Sequence, residues 1–239
     1  MKAMILAAGL GTRLKGITEH TPKCLVQAGG LTMIEHTIHA LQSAGVSSII
    51  INTSYLSEKV LDFFAKHKYE NIEIVFSYEK ELLGTGGGLL KASAFFWEVD
   101  SFIVHNADVY STIDLKKVIK KHEDNRALAT LVVMDRPTSR PLLFSDGKLV
   151  GWKIENEAVK YGLNIDPNVH PYAFSGIQVL SNEIFSFLAE EQTPFSIITS
   201  YLKASERGAL VQAYLEKDAF WIDMGTPERL QELRDYLTY

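Results

Sequence analysis

From Lys2 to Met134 the chain repeats one pattern: a short apolar run, a turn, an amphipathic stretch, then another apolar run. Strands buried on both faces read as continuous apolar runs, and packed helices read as apolar positions three and four apart. On that basis Lys2–Ala8, Ser48–Asn52, Ile72–Ser77, Phe102–His105 and Leu128–Met134 are expected strands. Leu31–Ala44 is an expected helix, with Ile34, Ile38 and Leu41 inward and Gly45 as its stop. A second helix is expected over Ser57–His67, with Val60, Leu61 and Phe64 inward, and a third over Gly86–Trp97. Asp114 is placed to cap a fourth, whose inner face is Leu115, Val118, Ile119 and His122. Strands that alternate with helices pair in parallel through right-handed crossovers. The expected fold class is α/β: a Rossmann-like mixed, mostly parallel sheet flanked by helices.

The pattern changes after Met134. Asp146-Gly147 stands between two strand-like runs, a hairpin signal. Tyr172–Leu180, Ala209–Tyr214 and Phe220–Met224 read as strands. Thr226-Pro227-Glu228 opens a final helix with Leu230, Leu233 and Leu237 inward. No linker or repeat interrupts residues 1–239, so the reading is one domain whose second half, 135–239, modifies the theme of 1–134. Cys24 is the only cysteine, which excludes an intramolecular disulfide. No apolar run reaches the roughly 18 residues needed to span a membrane. The expectation is a soluble, cytoplasmic protein. A net charge of −5 argues against nucleic acid or an anionic membrane as partner, but it leaves room for a small anionic ligand held by a few local groups.

Such a ligand is suggested by "ILAAGLGTRL", Ile5 to Leu14. An apolar strand runs into Gly9 and Gly11, where the backbone can approach a phosphate closely, and Arg13 follows as a forked cation. A dinucleotide-binding loop would need glycine or alanine at position 14, where Leu14 stands, and an acidic end to the second strand, where Asn52 stands. A phosphate loop of the Walker kind would need Gly-Lys-Ser/Thr, which is absent. "TPKCLV" adds a second cation, Lys23. "LLGTGGGLLKA" is a second glycine loop that opens a helix. "FIVHNADVY" and "FWIDMGTPERL" each end a strand on a carboxylate, Asp108 and Asp223. Two hard oxygen ligands beside polyphosphate suit Mg²⁺.

Together "LAAGLGTRL…TPKCLV", "LGTGGG", "NAD" and "WIDMGTPERL" resemble the sugar-1-phosphate nucleotidyltransferases, the nucleoside-diphospho-sugar pyrophosphorylases. The resemblance runs from Met1 to about Leu233. "INTSYLSEKV" and the GTGGG loop are most similar to the short N-acetylmuramate 1-phosphate uridylyltransferases of bacterial cell-wall recycling. The resemblance implies a glycosyltransferase-A-like nucleotidyltransferase fold, with 1–134 as the nucleotide half and 135–239 as the sugar-phosphate half. It also implies a Mg²⁺-dependent reaction between a nucleoside triphosphate, UTP first, and a sugar 1-phosphate, in a monomer or homodimer.

By the same resemblance Arg13, Lys23, Asp108 and Asp223 are catalytic, and the last two hold the metal. Leu6, Ala7, Ala8, Gly9, Gly11, Thr12 and Asn106 join Arg13 and Lys23 around the nucleotide. Glu79, Gly84, Thr85 and Gly86 approach the base, and Asn164 and Gly176 approach the sugar. Glu79 and Glu81 are carboxylate acceptors that pair naturally with guanine, whereas uracil can be read by backbone. Guanylyltransferases for mannose or heptose phosphates, phosphocholine cytidylyltransferases and non-catalytic regulatory relatives are the alternatives. Two features depart from the family pattern. "GWKIENE" lacks the usual Glu-Lys pair, leaving Lys153 and Glu155 as substitutes, and Cys24 replaces a common proline. His105, Cys24, Trp152 and Trp221 read as packing residues, and Lys116, Lys117, Lys120 and Lys121 as a wet helix face.

Overall fold

The computed structural model describes residues 1–154, 160–162 and 168–238. Its chain packs into two compact units. The first gathers Met1–Leu82, Val104–Ile113 and Phe220–Tyr239; the second gathers Leu83–Ile103 and Asp114–Ala219. Packing thus follows contacts and not chain order: the last helix belongs with the N-terminal strand, although the sequence reading assigned it to the second half.

In the first unit Lys2–Leu6, Ser48–Thr53 and Glu73–Tyr78 form a parallel ladder, with Leu6 opposite Asn52 and Asn52 opposite Ser77. The end of the Ser101–Asn106 strand lies on the other side of Lys2–Leu6. Ala3, Met4, Ile5, Ile49 and Ile51 are almost wholly buried, the continuous apolar run expected of parallel strands. The Met33–Ser43 helix starts from a capping box: Thr32 Oγ1 accepts from Glu35 N–H, and the Glu35 carboxylate accepts from Thr32 N–H at 2.7 Å. The Ser57–Lys66 helix buries Val60, but Leu61, expected inward, is 45% exposed. The Phe64 ring of that helix meets Phe76 of Glu73–Tyr78, the edge strand of the ladder, so its core-facing stripe is narrower than the periodicity implies.

The C-terminal segment matters most for the site. Leu230 and Leu233 of the Pro227–Thr238 helix pack with Leu14, Val26, Ala28, Met33, Ile222 and Met224. One apolar cluster therefore ties the turn after the first glycine loop to the segment carrying Asp223.

The second unit is mixed. Val211–Glu216 runs parallel to Ala129–Met134, while His170–Ser181 pairs antiparallel with Ala129–Met134 and Leu142–Ser145. The predicted hairpin joins Leu142–Ser145 to Lys148–Trp152, and Asp146 (φ 47°) and Gly147 (φ 73°) both lie at positive φ, as a type I′ turn requires. The expected Gly86–Trp97 helix is an α-helix over Gly84–Lys91 followed by a 3-10 turn over Ser93–Phe96. Asp114 caps the Leu115–Asn125 helix through Lys116 N–H at 3.0 Å. Asn164 and Glu155 lie outside the described residues. Among the described residues no helix is long and apolar enough to cross a membrane.

Candidate active site

The site is built on the first unit, where the parallel strands end. Beyond Leu6 the chain leaves the ladder through Ala7, Ala8 and the exposed Gly9, and turns at Gly11, whose φ is +66°. Gly11 O accepts from Leu14 N–H at 3.0 Å and from Thr18 Oγ1 at 2.8 Å, which closes the loop onto the Thr12–Ile17 3-10 turn. Leu14 is buried in the cluster described above, while Thr12 and Arg13 point to solvent. The loop's outer limb is tied down by Tyr55 Oη donating to Glu19 O at 3.0 Å and by Lys59 Nζ donating to His20 O.

Lys23 opens a short 3-10 turn after Pro22 and forms an ion pair with Asp108; the two side chains are 12% and 28% exposed. Asp108 follows the Ser101–Asn106 strand. The next strand, Val109–Ser111, pairs antiparallel with Trp221–Asp223, with Asp223 opposite Val109. Met224 N–H donates to Asp108 O at 2.8 Å. This two-stranded ladder places Asp223 one pair from Asp108, although 115 residues of chain separate them. Asp223 Oδ2 lies 3.0 Å from Arg229 Nη1, and that guanidinium stands over the Trp221 ring. A Cβ built on Gly225 would meet Asp223 Oδ1 at 2.6 Å and Arg13 Nη1 at 3.4 Å, so Arg13 and Asp223 converge on one point of backbone.

Arg13, Lys23, Asp108 and Asp223 are thus gathered in one unit. Among the described residues no cluster of three or more acidic, histidine or cysteine side chains is suited to a metal. The donor chemistry of Asp223, at the end of the ladder, and Asp108, just before it, nonetheless suits Mg²⁺, which takes one or two carboxylates and fills its remaining positions from phosphate oxygens and water. Arg229 is a site neighbour that sequence reasoning missed. Its only signal was its place in "GTPERL", in the first turn of the helix that follows Asp223.

Other candidates fall into two groups. Ala7 N–H is already donated to Asn52 Oδ1 at 2.7 Å, and Leu6 O already accepts from Ala107 N–H at 3.0 Å. The backbone donors left for a ligand therefore begin at Ala8. Glu79 is 1% exposed and accepts from Asn52 Nδ2 at 2.7 Å. His105 is 2% exposed, and its Nδ1 carries the proton because its partner, Asn106 O, can only accept. Burial holds its pKa down at about 4, against opposing contributions from the Asn106 carbonyl and Asp108. Burial pushes the Cys24 thiol up to about 12. Both fit their reading as packing residues.

In the second unit Gly84, Thr85 and Gly86 are engaged with the segment around Phe195. A Cβ on Gly84 would lie 2.3 Å from Phe195 O, and one on Gly86 would lie 2.2 Å from the Phe195 ring. Gly86 N–H donates to Phe195 O at 3.1 Å, and Thr85 Oγ1 accepts from Ile197 N–H at 3.0 Å. Phe195 fills the space a side chain would take at Gly84 and Gly86, and Gly84 also lies at φ +75°. Gly176 (φ +78°) sits at the register shift of the His170–Ser181 strand, and Lys153 is exposed.

Comparison with known proteins identifies the family. The family model described as "Nucleotidyl transferase" matches residues 2–144. Mannose-1-phosphate guanyltransferase 2 of Candida glabrata is 31% identical over 236 residues, which is 95% of this chain and 62% of that protein. UTP–glucose-1-phosphate uridylyltransferase of Synechocystis sp. is 28% identical over 256 residues, covering all of this chain and 64% of that one. The chain therefore spans under two thirds of these relatives' length. Among solved structures, HddC of Yersinia pseudotuberculosis complexed with GMP-PN superposes with a TM-score of 0.76 at 27% identity, covering 98% of each chain. A putative glucose-1-phosphate thymidylyltransferase of Bacillus anthracis reaches 0.80 at 19% identity, over 99% of this chain and 95% of that one, and shares the fold. Glycine loop, paired cations and paired carboxylates, with a family match over more than half the chain, agree: the protein belongs to the nucleotidyl transferase family.

Proposed function

We propose that the protein joins a nucleoside triphosphate to a sugar 1-phosphate, giving a nucleoside-diphosphate sugar and pyrophosphate. The observation that carries this reading is the convergence of Lys23 with Asp108 and of Arg13 with Asp223 at the end of the parallel ladder. A sugar-phosphate oxygen attacks the α-phosphorus of the triphosphate; a new P–O bond forms there, and the bond to the bridging oxygen breaks as pyrophosphate leaves. The attacking oxygen is already an anion, so the reaction asks for no side-chain nucleophile or base. It asks for two anions to be held in line and neutralised.

The backbone from Ala8 to Gly11, exposed at Gly9 and Leu10, supplies amide donors. Arg13, exposed and forked, takes the β- and γ-phosphate oxygens and stabilises the departing pyrophosphate. Lys23, partly buried beside Asp108, sits at the α-phosphate and neutralises charge on both substrates. Asp108 and Asp223 would hold a magnesium ion, which when bound supplies Lewis-acid stabilisation of charge on the phosphate oxygens. Gly176 as a sugar contact rests on the resemblance alone.

For the base, GTP is the first candidate. The guanyltransferase relative and the structure solved with GMP-PN support it. UTP is the second, supported by the uridylyltransferase relative that matches the whole chain. Mannose, heptose, glucose and N-acetylmuramate 1-phosphates form the acceptor set. The test is Mg²⁺-dependent pyrophosphate release over a matrix of GTP, UTP, CTP and dTTP against these acceptors. Turnover with at least one pair, GTP leading, is expected. Nucleotide binding with no turnover for any pair would point instead to a regulatory nucleotide-sugar sensor.

A further inference from the structure

We infer that Asn52 and Glu79 form a buried strut that positions the nucleotide loop, and that Glu79 acts through Asn52 without touching the base. The parallel ladder ends at the pair Leu6–Asn52, so Ala7 N–H lies one residue beyond the last rung. Unpaired there, a partly buried donor would carry some desolvation cost and leave the loop's root free to shift. The Asn52 side chain meets it, with Oδ1 accepting from Ala7 N–H at 2.7 Å. A backbone amide can only donate, so the orientation of the Asn52 amide is fixed: the oxygen faces Ala7 and the nitrogen faces away. That nitrogen donates to Glu79 Oε1 at 2.7 Å.

Glu79 is anchored in turn, its own N–H donating to Thr53 O at 2.7 Å. Asn52, in the middle strand, thus links the residues just past the two flanking strands, Ala7 and Glu79, in a relay of carboxylate, amide and main-chain N–H. Asn52 is 3% exposed and Glu79 is 1% exposed. A side chain so covered offers a base almost no surface, whereas a hydrogen bond inside the protein is stronger than one made in water. The root of the loop is held from the other side by Ala107 N–H on Leu6 O. Clamped on both flanks, the backbone from Ala8 to Gly11 presents its donors in a fixed place.

The inference rests on the nucleotide-binding part of the proposed function, so its test reads binding without sugar phosphate. GTP and UTP affinities are measured by titration calorimetry with Mg²⁺ for wild type, Asn52→Asp, Glu79→Gln and the double variant. Asn52→Asp keeps the acceptor for Ala7 but sets two carboxylates face to face, and both nucleotides should weaken about 10-fold or more together. Glu79→Gln keeps an acceptor for Asn52, so both affinities should stay within about 3-fold and their ratio should not move. The double variant exchanges donor and acceptor between the two positions, and should recover both affinities to within about 3-fold of wild type. Should Asn52→Asp not fold, recovery of folding and binding in the double variant carries the same meaning. A GTP-to-UTP ratio shifted about 10-fold or more by Glu79→Gln makes Glu79 a base reader and overturns the inference; so does a double variant that fails to recover. A wild type that binds nucleotide yet transfers nothing sinks the transferase proposal and leaves the strut tested.

Discussion

Lys23 and Asp108 stand 85 residues apart in sequence and meet as an ion pair. Neither identity is unusual on its own; the position at which each strand or turn releases the chain makes them a site. Replacing Lys23 with alanine should lower kcat/KM for nucleotidyl transfer by about 100- to 1000-fold, the usual loss when one charge-stabilising group is removed. The melting temperature should fall by only a few degrees, because both side chains keep contact with water. Gly9 offers a cleaner probe of the backbone bed. A Cβ there meets nothing within 4 Å, so Gly9→Ala should leave thermal stability unchanged. If nucleotide lies against this backbone, the same change raises KM for the triphosphate about 10-fold; an unaltered KM places the nucleotide elsewhere.

At the scale of elements, the site's strand ends were legible in the sequence because buried parallel strands are apolar throughout and stop abruptly at polar residues. Asp108 could be placed just past a strand end for that reason, whereas Asp223 ends the short antiparallel strand Trp221–Asp223. What could not be read was what packs against the second glycine loop. "GTGGG" looks like a ligand cradle, yet Gly84 and Gly86 are filled against by Phe195, and that contact spans more than a hundred residues. Gly86→Ala should therefore cost about 1–3 kcal/mol in denaturant unfolding through overpacking; a neutral result would reopen its role at a ligand.

The Leu115–Asn125 helix contributes a titrating element. His122 Nδ1 lies 3.0 Å from Thr130 Oγ1, which also accepts from Gln212 Nε2, and burial lowers the histidine's pKa to about 4. The unfolded chain takes up this proton below about pH 6.5 while the folded chain does so only near pH 4. Stability should fall as pH drops through that window. In His122→Gln the melting temperature should decline less steeply from pH 6.5 to 4.5; an identical slope would mean His122 is not buried as a neutral ring.

For the molecule as a whole, the α/β class and the flanking helices follow from alternating apolar runs, and the I′ hairpin from Asp146-Gly147. The grouping of the chain was not readable, because it depends on the C-terminal helix returning to Leu14 and Met33 through Leu230 and Leu233. Periodicity shows that those leucines are buried but not against what. That return matters for chemistry, since it sets Asp223 beside Arg13.

The most direct measurement is pyrophosphate release by Asp108→Asn and Asp223→Asn, each titrated with Mg²⁺ at saturating triphosphate and sugar 1-phosphate. Each variant should fold as the wild type does and lose about 100-fold or more in rate at every magnesium concentration. Wild-type turnover in either folded variant would contradict the assignment of that carboxylate and, with it, the account of how the two anions are brought together.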